Sequence, residues 1–335
     1  MGHVKAGKKK GATIYDVAQD AGVSISTVSL ALNSPERVQA ATLQRIMSAV
    51  DRLGFAPKAE AVIRARHGTG RVGVIAPFTS FPAETALRLN GILGRAQSDG
   101  REVVVFDQAS GATSRLMSLP VTRKVDGLII ISIPFEDDIA QRLADNGTPT
   151  VVVDIPHPGM NSVVIDHRGG GALVGAFLGE RGHRRIAYIG HRQEYDYPSQ
   201  SLEKLAGLRD ACETAPEVVN VDNSRDDAIR AGLELLDRPD RPTAVFAHND
   251  LLASGVLHAA HRLGLRVPDD LAIVGFNDTD IAEAIGLTTV RQPFERSGEL
   301  AMGMLLDTTK NSSDGTDGDS RTVTLGVTIV ERDTA

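Results

Sequence analysis

Phe78, Asp154, His191, Asn249, Asp250, Asn277 and Asp278 each stand directly behind a short apolar run. Ligands of open parallel sheets bind outside the carboxyl ends of the strands, so a cleft between two sheets would gather these residues. Any one of them alone is an ordinary cap or turn residue. Bond-breaking chemistry has weaker support. No serine or cysteine occupies a recognisable nucleophile motif, and the lone Cys212 reads as a small core residue. His258 and His261 lie three apart on a predicted helix without a third ligand nearby, the pattern of a solvated helix face. The HRGGG run at 167–171 opens a predicted helix, but no G-x-G-x-x-G follows the apolar run at 72–76, so a dinucleotide enzyme is disfavoured. The expectation is a binding protein rather than an enzyme, with no cofactor and no metal.

A different chemistry is written near the N-terminus, in TIYDVAQDAGVSISTVSLALN at 13–33. Ile14, Val17, Ala18 and Ala21 recur at helical spacing, Gly22 breaks the run, and Ser24 can cap a second helix with Val28, Ala31 and Leu32 facing inward. Its outward residues Ile25, Ser26, Thr27, Ser29, Leu30 and Asn33 are mostly short and uncharged, as a helix lying close in a DNA major groove requires. Charge points the same way. Residues 1–70 carry 10 Lys and Arg against 5 Asp and Glu, and residues 71–335 carry 26 against 38, so a net charge of −7 hides a basic head on an acidic body. The alternative for Lys5, Lys8, Lys9 and Lys10 is a solvated tail.

The elements that must position these residues follow from hydrophobic patterning. Behind the two helices, Ile46, Ala49, Val50 and Leu53 mark a third that ends at Gly54. Residues 57–66 are rich in helix formers but too short to hold a helix alone in water, and 67–70 form a joint. From Arg71 the chain alternates continuous apolar runs (at 72, 103, 128, 150, 185, 243 and 271) with amphipathic segments. Such runs are strands covered on both faces, and two doubly wound parallel α/β sheets are expected in succession. KNSSDGTDGDSR at 310–321 reads as a surface loop, and TVTLGVTIVE at 322–331 as a closing strand. An apolar content of 41% supports a large core, no run reaches the ~18 residues of a membrane span, and neither a secretory leader nor a disulfide framework is evident. A cytoplasmic protein is expected.

Along nearly its whole length the chain resembles the lactose-repressor (LacI) family of bacterial transcription regulators. The resemblance is carried by the 13–33 segment, LGFAP at 53, D-x-x-GG at 166–170, GHRRIAYIG at 182, FAHNDLLASG at 246, VPDDLAIVGFND at 267 and LTTVRQP at 287. It implies a basic tail (1–12), a helix-turn-helix headpiece (13–56), a hinge helix and linker (57–70), and a two-lobed effector and dimerisation domain (71–335) like the periplasmic sugar-binding proteins. Lobe 1 would span about 71–165 and 288–314, and lobe 2 about 166–287 and 315–335. The partners implied are a roughly palindromic operator in double-stranded DNA, a second copy of the chain, and a small effector, with a sugar as first choice. A secreted sugar-binding protein is the rival, opposed by the basic head and the absent leader.

Position by position, the resemblance assigns base contacts to Ile25, Ser26 and Leu30, and phosphate or capping contacts to Ser24, Thr27, Ser29 and Asn33. Thr13, Ile14 and Tyr15 would meet the DNA backbone, with Arg37, Lys58 and Arg64 completing the DNA set. In the effector cleft, Asp154, Asn249 and Asn277 match positions that hold sugar hydroxyls, and Phe78, Tyr195, Lys204 and Asp250 join them. There are departures. Leu30 stands where an arginine is frequent, and can offer only an apolar surface to a thymine methyl. Lys204 replaces a usual arginine and so loses its planar two-point grip. There is no tryptophan to stack on a sugar; Phe78, Phe81, Tyr195 and Phe276 are the candidates. In the hinge, Arg64 stands where a leucine commonly wedges into the minor groove. A guanidinium favours a narrow groove electrostatically without prising bases apart, so Arg64 reads the groove, leaves the wedge to Ile63, or touches phosphate only. If Arg64 reads the groove, Arg64→Leu will bend the operator more sharply than wild type in a gel-phasing assay; equal, strong bending in both points to Ile63.

Overall fold

Thr13 begins the first helix with a reciprocal cap: its side chain accepts from the Asp16 backbone N–H while the Asp16 carboxylate takes the Thr13 N–H at 2.7 Å. The computed structural model describes residues 12–33, 35–55, 69–108, 125–192, 199–314 and 320–335. Helix α1 (Ile14–Ala21) ends at Gly22, whose φ of 63° supplies the left-handed turn. Ser24 then caps α2 (Ile25–Asn33), accepting from the Thr27 N–H at 3.1 Å. With α3 (Ala40–Leu53), these helices close around Val17, Ala21, Val28, Leu32, Leu43, Ile46 and Met47. The expected three-helix head is therefore observed. The hinge residues Lys58, Ile63 and Arg64 lie outside the described residues.

Behind the head are two six-stranded sheets. The first holds β1 (Arg71–Ala76), β2 (Glu102–Asp107), β3 (Gly127–Ile131), β4 (Thr150–Val153), β5 (Asn161–Ile165) and, from the C-terminal end of the chain, β11 (Thr322–Leu325). The second holds β6 (Ile186–His191), β7 (Glu217–Val221), β8 (Ala244–Ala247), β9 (Ala272–Asn277), β10 (Thr288–Arg291) and β12 (Thr328–Val330). Read from one edge, the first runs β2-β1-β3-β4-β5-β11 and the second β7-β6-β8-β9-β10-β12, the same winding order twice. Every pairing is parallel except β10 with β12. Helices cover the sheets: α4 (Pro82–Ser98), α5 (Asp137–Asp145) and α11 (Phe294–Asp314) belong to lobe 1, and α6 (His167–Glu180), α7 (Gln200–Ala211), α8 (Arg225–Leu236), α9 (Asp250–Arg262) and α10 (Asp280–Ala284) to lobe 2.

The doubly wound α/β class is as expected, and several details are corrected. β5, β7 and β10 were not anticipated, because NSVVI, EVVNV and TTVR mix polar residues into short runs. The second crossing between lobes was expected at Leu287 but falls at Gln292–Pro293, since β10 still pairs with β9. The third was expected near Asp314 but falls at Gly326–Val327. TVTLGVTIVE is two strands rather than one, its first half pairing with β5 and its second with β10. Lobe 1 therefore comprises 71–165 and about 292–325, and lobe 2 comprises 166–291 and 327–335. The supposed loop at 310–321 also begins as the last turn of α11, up to Asp314.

Each of the first two crossings leads straight into a helix, and each of those helices lies against its neighbour through glycine. A Cβ on Gly171 or Gly207 would fall on the Lys204 or Arg168 carbonyl across the α6–α7 contact, and one on Gly91 or Gly298 on the Glu295 or Arg88 carbonyl across α4–α11. The HRGGG run thus serves helix packing, and Gly170 faces the Phe276 ring. We expect Gly207→Ala to force α6 and α7 apart at a cost of about 1–3 kcal/mol, read as a lowered urea midpoint. Gly179→Ala, whose nearest neighbour is the flexible end of Arg184 at 3.9 Å, serves as the tolerated control.

Candidate functional site

The head offers one surface. Tyr15 is 68% and Ile25 41% exposed, which for large apolar side chains leaves a cost that a partner surface would remove. Ser24 and Ser26 are exposed beside them; Thr13, Ile14, Thr27, Ser29 and Leu30 are half-buried, and Arg37 is exposed at the end of the short turn Pro35–Arg37. The Ser24 hydroxyl lies 2.7 Å from both Ser26 Oγ and Thr27 Oγ1, so the α2 N-terminus presents a preformed cluster of hydroxyls. Asn33 closes α2, and its side chain is outside the described set.

The second site is a cavity of about 670 Å³ between the lobes, at the carboxyl ends of the strands. Its backbone is strained. Among the described residues, the non-glycine positions with positive φ are Ser132 (54°), Asp154 (71°), Asn277 (114°) and Asp278 (57°), all at or just past the ends of β3, β4 or β9. Asp154 is fully buried and receives Arg88 Nη2 at 2.6 Å, the Ser132 hydroxyl, and Gln200 Nε2 at 3.1 Å from the opposite lobe. A second bridge between lobes runs from Asn277 Nδ2 to Glu84 Oε1 at 2.8 Å, and Gln292 Nε2 donates to Asn277 Oδ1 at 2.6 Å. Phe81 meets His191 edge-on at 5.9 Å.

Lys204 is the electrostatic anomaly. Its ammonium is buried, donates to the His248 carbonyl at 3.0 Å and lies 3.8 Å from the centre of the Phe276 ring. Burial pulls its pKa down to about 7, against the pull of Glu84, Asp154 and Asp250. His248 and His167 are likewise held neutral, first by burial and then by the nearby Lys204 charge.

A model of the lacI family of bacterial regulatory proteins matches residues 13–58, and one of the periplasmic binding protein-like domain matches 176–335. The HTH-type transcriptional repressor PurR of Pectobacterium carotovorum subsp. carotovorum is 31% identical over 332 residues, 96% of each chain. Catabolite control protein A of Priestia megaterium is 32% identical, covering 88% of this chain and 91% of that one.

The chain belongs to the LacI family.

Solved members share the architecture. The transcriptional regulator CelR in complex with cellobiose superposes with a TM-score of 0.70 at 27% identity, covering 97% of this chain and 100% of that one. The lac repressor dimer bound to operator and the anti-inducer ONPF gives 0.70 at 28% identity, covering 97% and 99%. This member is a DNA-binding transcriptional repressor with a ligand-binding domain, and its relatives are regulators rather than enzymes.

Of the seven residues expected around the effector, Lys204, Asn249 and Asn277 line the cavity. Three others do not. The Phe78 ring packs into the lobe 1 core, and Phe81 takes the place expected of it. Asp154 is closed off by its three donors and positions Arg88 instead. Asp250 is saturated by Thr279 and Thr289, tying α9 to α10 and β10; burial pushes its carboxyl up to about 6. Tyr195 lies outside the described residues. Asn249 has a double task, capping α9 through the Leu252 N–H and donating to Asn223 at 2.8 Å. Glu84, Arg88, Gln200, His248 and Gln292 also line the cavity without having been anticipated. Glu84 and Arg88, four apart on a helix, look in sequence like any surface ion pair.

Elsewhere, His258 and His261 are exposed on α9, and no group of three or more potential metal ligands occurs among the described residues. No described helix is long and apolar enough to cross a membrane. Cys212 is half-buried against the lobe 2 core, and burial pushes its thiol pKa up.

The low Lys204 pKa has a sign. Between about 7 and the ordinary 10.5 the unfolded chain holds a proton that the folded one lacks, so Lys204 makes stability rise with pH there and adds no slope below. The two buried histidines titrate below that window. Comparing urea midpoints of wild type and Lys204→Met, we expect the balance to move toward wild type from pH 7 to 9.5, by at most about 1.4 kcal/mol per unit.

Proposed function

We propose that this repressor binds a palindromic operator as a homodimer, in the cytoplasm, and that a sugar or sugar derivative seated between its lobes controls operator affinity. The observation that carries the proposal is the polar interlobe cavity, lined from both lobes, in a chain whose head exposes a short-residue recognition helix. Half of the base-reading surface is too small for specificity alone, and a second headpiece at a fixed half-site spacing supplies the rest.

Ile25, Ser26 and Leu30 are the proposed base contacts. Thr13, Ile14, Tyr15, Ser24, Thr27, Ser29, Asn33 and Arg37 are proposed to meet phosphates or cap the helix, and Lys58 and Arg64 to contact the hinge site. With no charged residue on α2, base selection here rests on hydroxyl hydrogen bonds and on apolar contact with thymine methyls. Switching is a population shift: a ligand that prefers one arrangement of the lobes changes the spacing of the two heads. The sugar assignment is supported by the mixed amide, carboxylate and hydroxyl lining and by the cellobiose complex of CelR.

Retention of the full chain on duplex DNA is expected to fall steeply with salt and to be lost on deleting residues 1–66. Selection of bound sequences, repeated with a sugar panel, is expected to return a palindrome whose recovery changes with one sugar. A non-palindromic consensus indifferent to every sugar would overturn the proposal.

A further inference from the structure

Arg88 and Lys204 occupy corresponding places in the two lobes. Each sits on the helix that follows the first strand of its sheet, α4 after β1 and α7 after β6. Each is buried, and each cation lies over a phenyl ring, Phe294 at 4.7 Å and Phe276 at 3.8 Å. Each also presents its own carbonyl at a glycine crossing, to Gly298 and Gly171 respectively. The correspondence breaks at charge. Arg88 is neutralised by Asp154 at 2.6 Å, whereas Lys204 makes no ion pair among the described residues and donates only to the His248 carbonyl. An ammonium has three donors. With one engaged, Lys204 has donors left on the wall of the cavity it lines.

Acceptors wait on the same cavity. Gln292 is buried, and its Oε1 has no hydrogen-bond partner while its Nε2 is spent on Asn277. Glu84 uses Oε1 for Asn277 and lines the cavity as well. An orphaned buried acceptor carries a penalty that a ligand hydroxyl removes, and an unpaired buried ammonium carries one that an anion removes.

We infer that the effector is a sugar acid: its carboxylate pairs with the Lys204 ammonium, and its hydroxyls donate to Gln292 Oε1 and Glu84. The inference rests on the proposed small-ligand role of this cavity and adds the charge of the ligand. A neutral sugar would leave the Lys204 amine buried without a counter-charge. The low pKa of Lys204 agrees, since Glu84, Asp154 and Asp250 only partly offset its burial and Arg88 opposes its charge. A bound carboxylate then raises that pKa, and binding above neutral pH takes up a proton.

The test is calorimetric titration of the full chain with gluconate, galactonate, glucuronate and galacturonate, each against its neutral alditol or hexose, at pH 8 in two buffers of different ionisation enthalpy. One acid should bind about 10- to 100-fold tighter than its neutral counterpart, as a charge-assisted contact predicts, with proton uptake. Lys204→Met should lose both the preference and the uptake while retaining wild-type circular dichroism. Lys204→Gln, tested alongside, keeps a donor without the charge and should lose the preference equally. Neutral sugars binding as tightly as acids, or an acid preference that survives in both variants, overturns the charge assignment and leaves the cleft role standing. Binding by neither series overturns both.

Discussion

The Asp154 carboxylate is the interaction on which the cleft depends. It sits without exposure at the end of β4 in a backbone conformation that costs an ordinary residue energy, and it is held there by Arg88, Ser132 and Gln200. Arg88 comes from α4 and Gln200 from the other lobe, so one buried charge sets a side chain on each wall. Removing a partner from such a pair leaves an uncompensated buried charge, typically at a cost of about 3–5 kcal/mol. Both lobes are thereby tied to a single point whose geometry changes whenever they move.

The glycine crossings carry that geometry outward. The helices entered from the first two crossings, α6 and α11, lie close enough to α7 and α4 that any added side-chain atom at the contacts would strike backbone. Lys204 and Arg88 are therefore carried on helices that cannot slide independently of the crossings. Packing this tight behaves as a small number of discrete arrangements rather than a continuum.

The head works by a different economy. Its three helices bury a small aliphatic core and spend hydroxyls rather than charges on their outer face. With no charged residue on α2, that helix presents only hydroxyls and apolar surface. The departures at Leu30 and Lys204 are alike in that each replaces a forked guanidinium, one with an apolar surface and the other with a point charge.

The head and the overall winding were legible in the sequence because they depend on local periodicity: helical spacing around Gly22, Ser24 as a cap, and continuous apolar runs for doubly covered strands. Lys204, Asn249 and Asn277 were legible as cleft residues by position. What only the tertiary structure decided was which polar groups are already spoken for. Asp154 and Asp250 look as available as Asn277 in the sequence, yet their carboxylates are consumed by partners 22 to 66 and 29 to 39 residues away. The third crossing was misplaced for the same reason, since TVTL chooses its sheet through β5, a strand far back in the chain. Periodicity is a property of neighbours along the chain, whereas hydrogen-bond saturation is a property of neighbours in space.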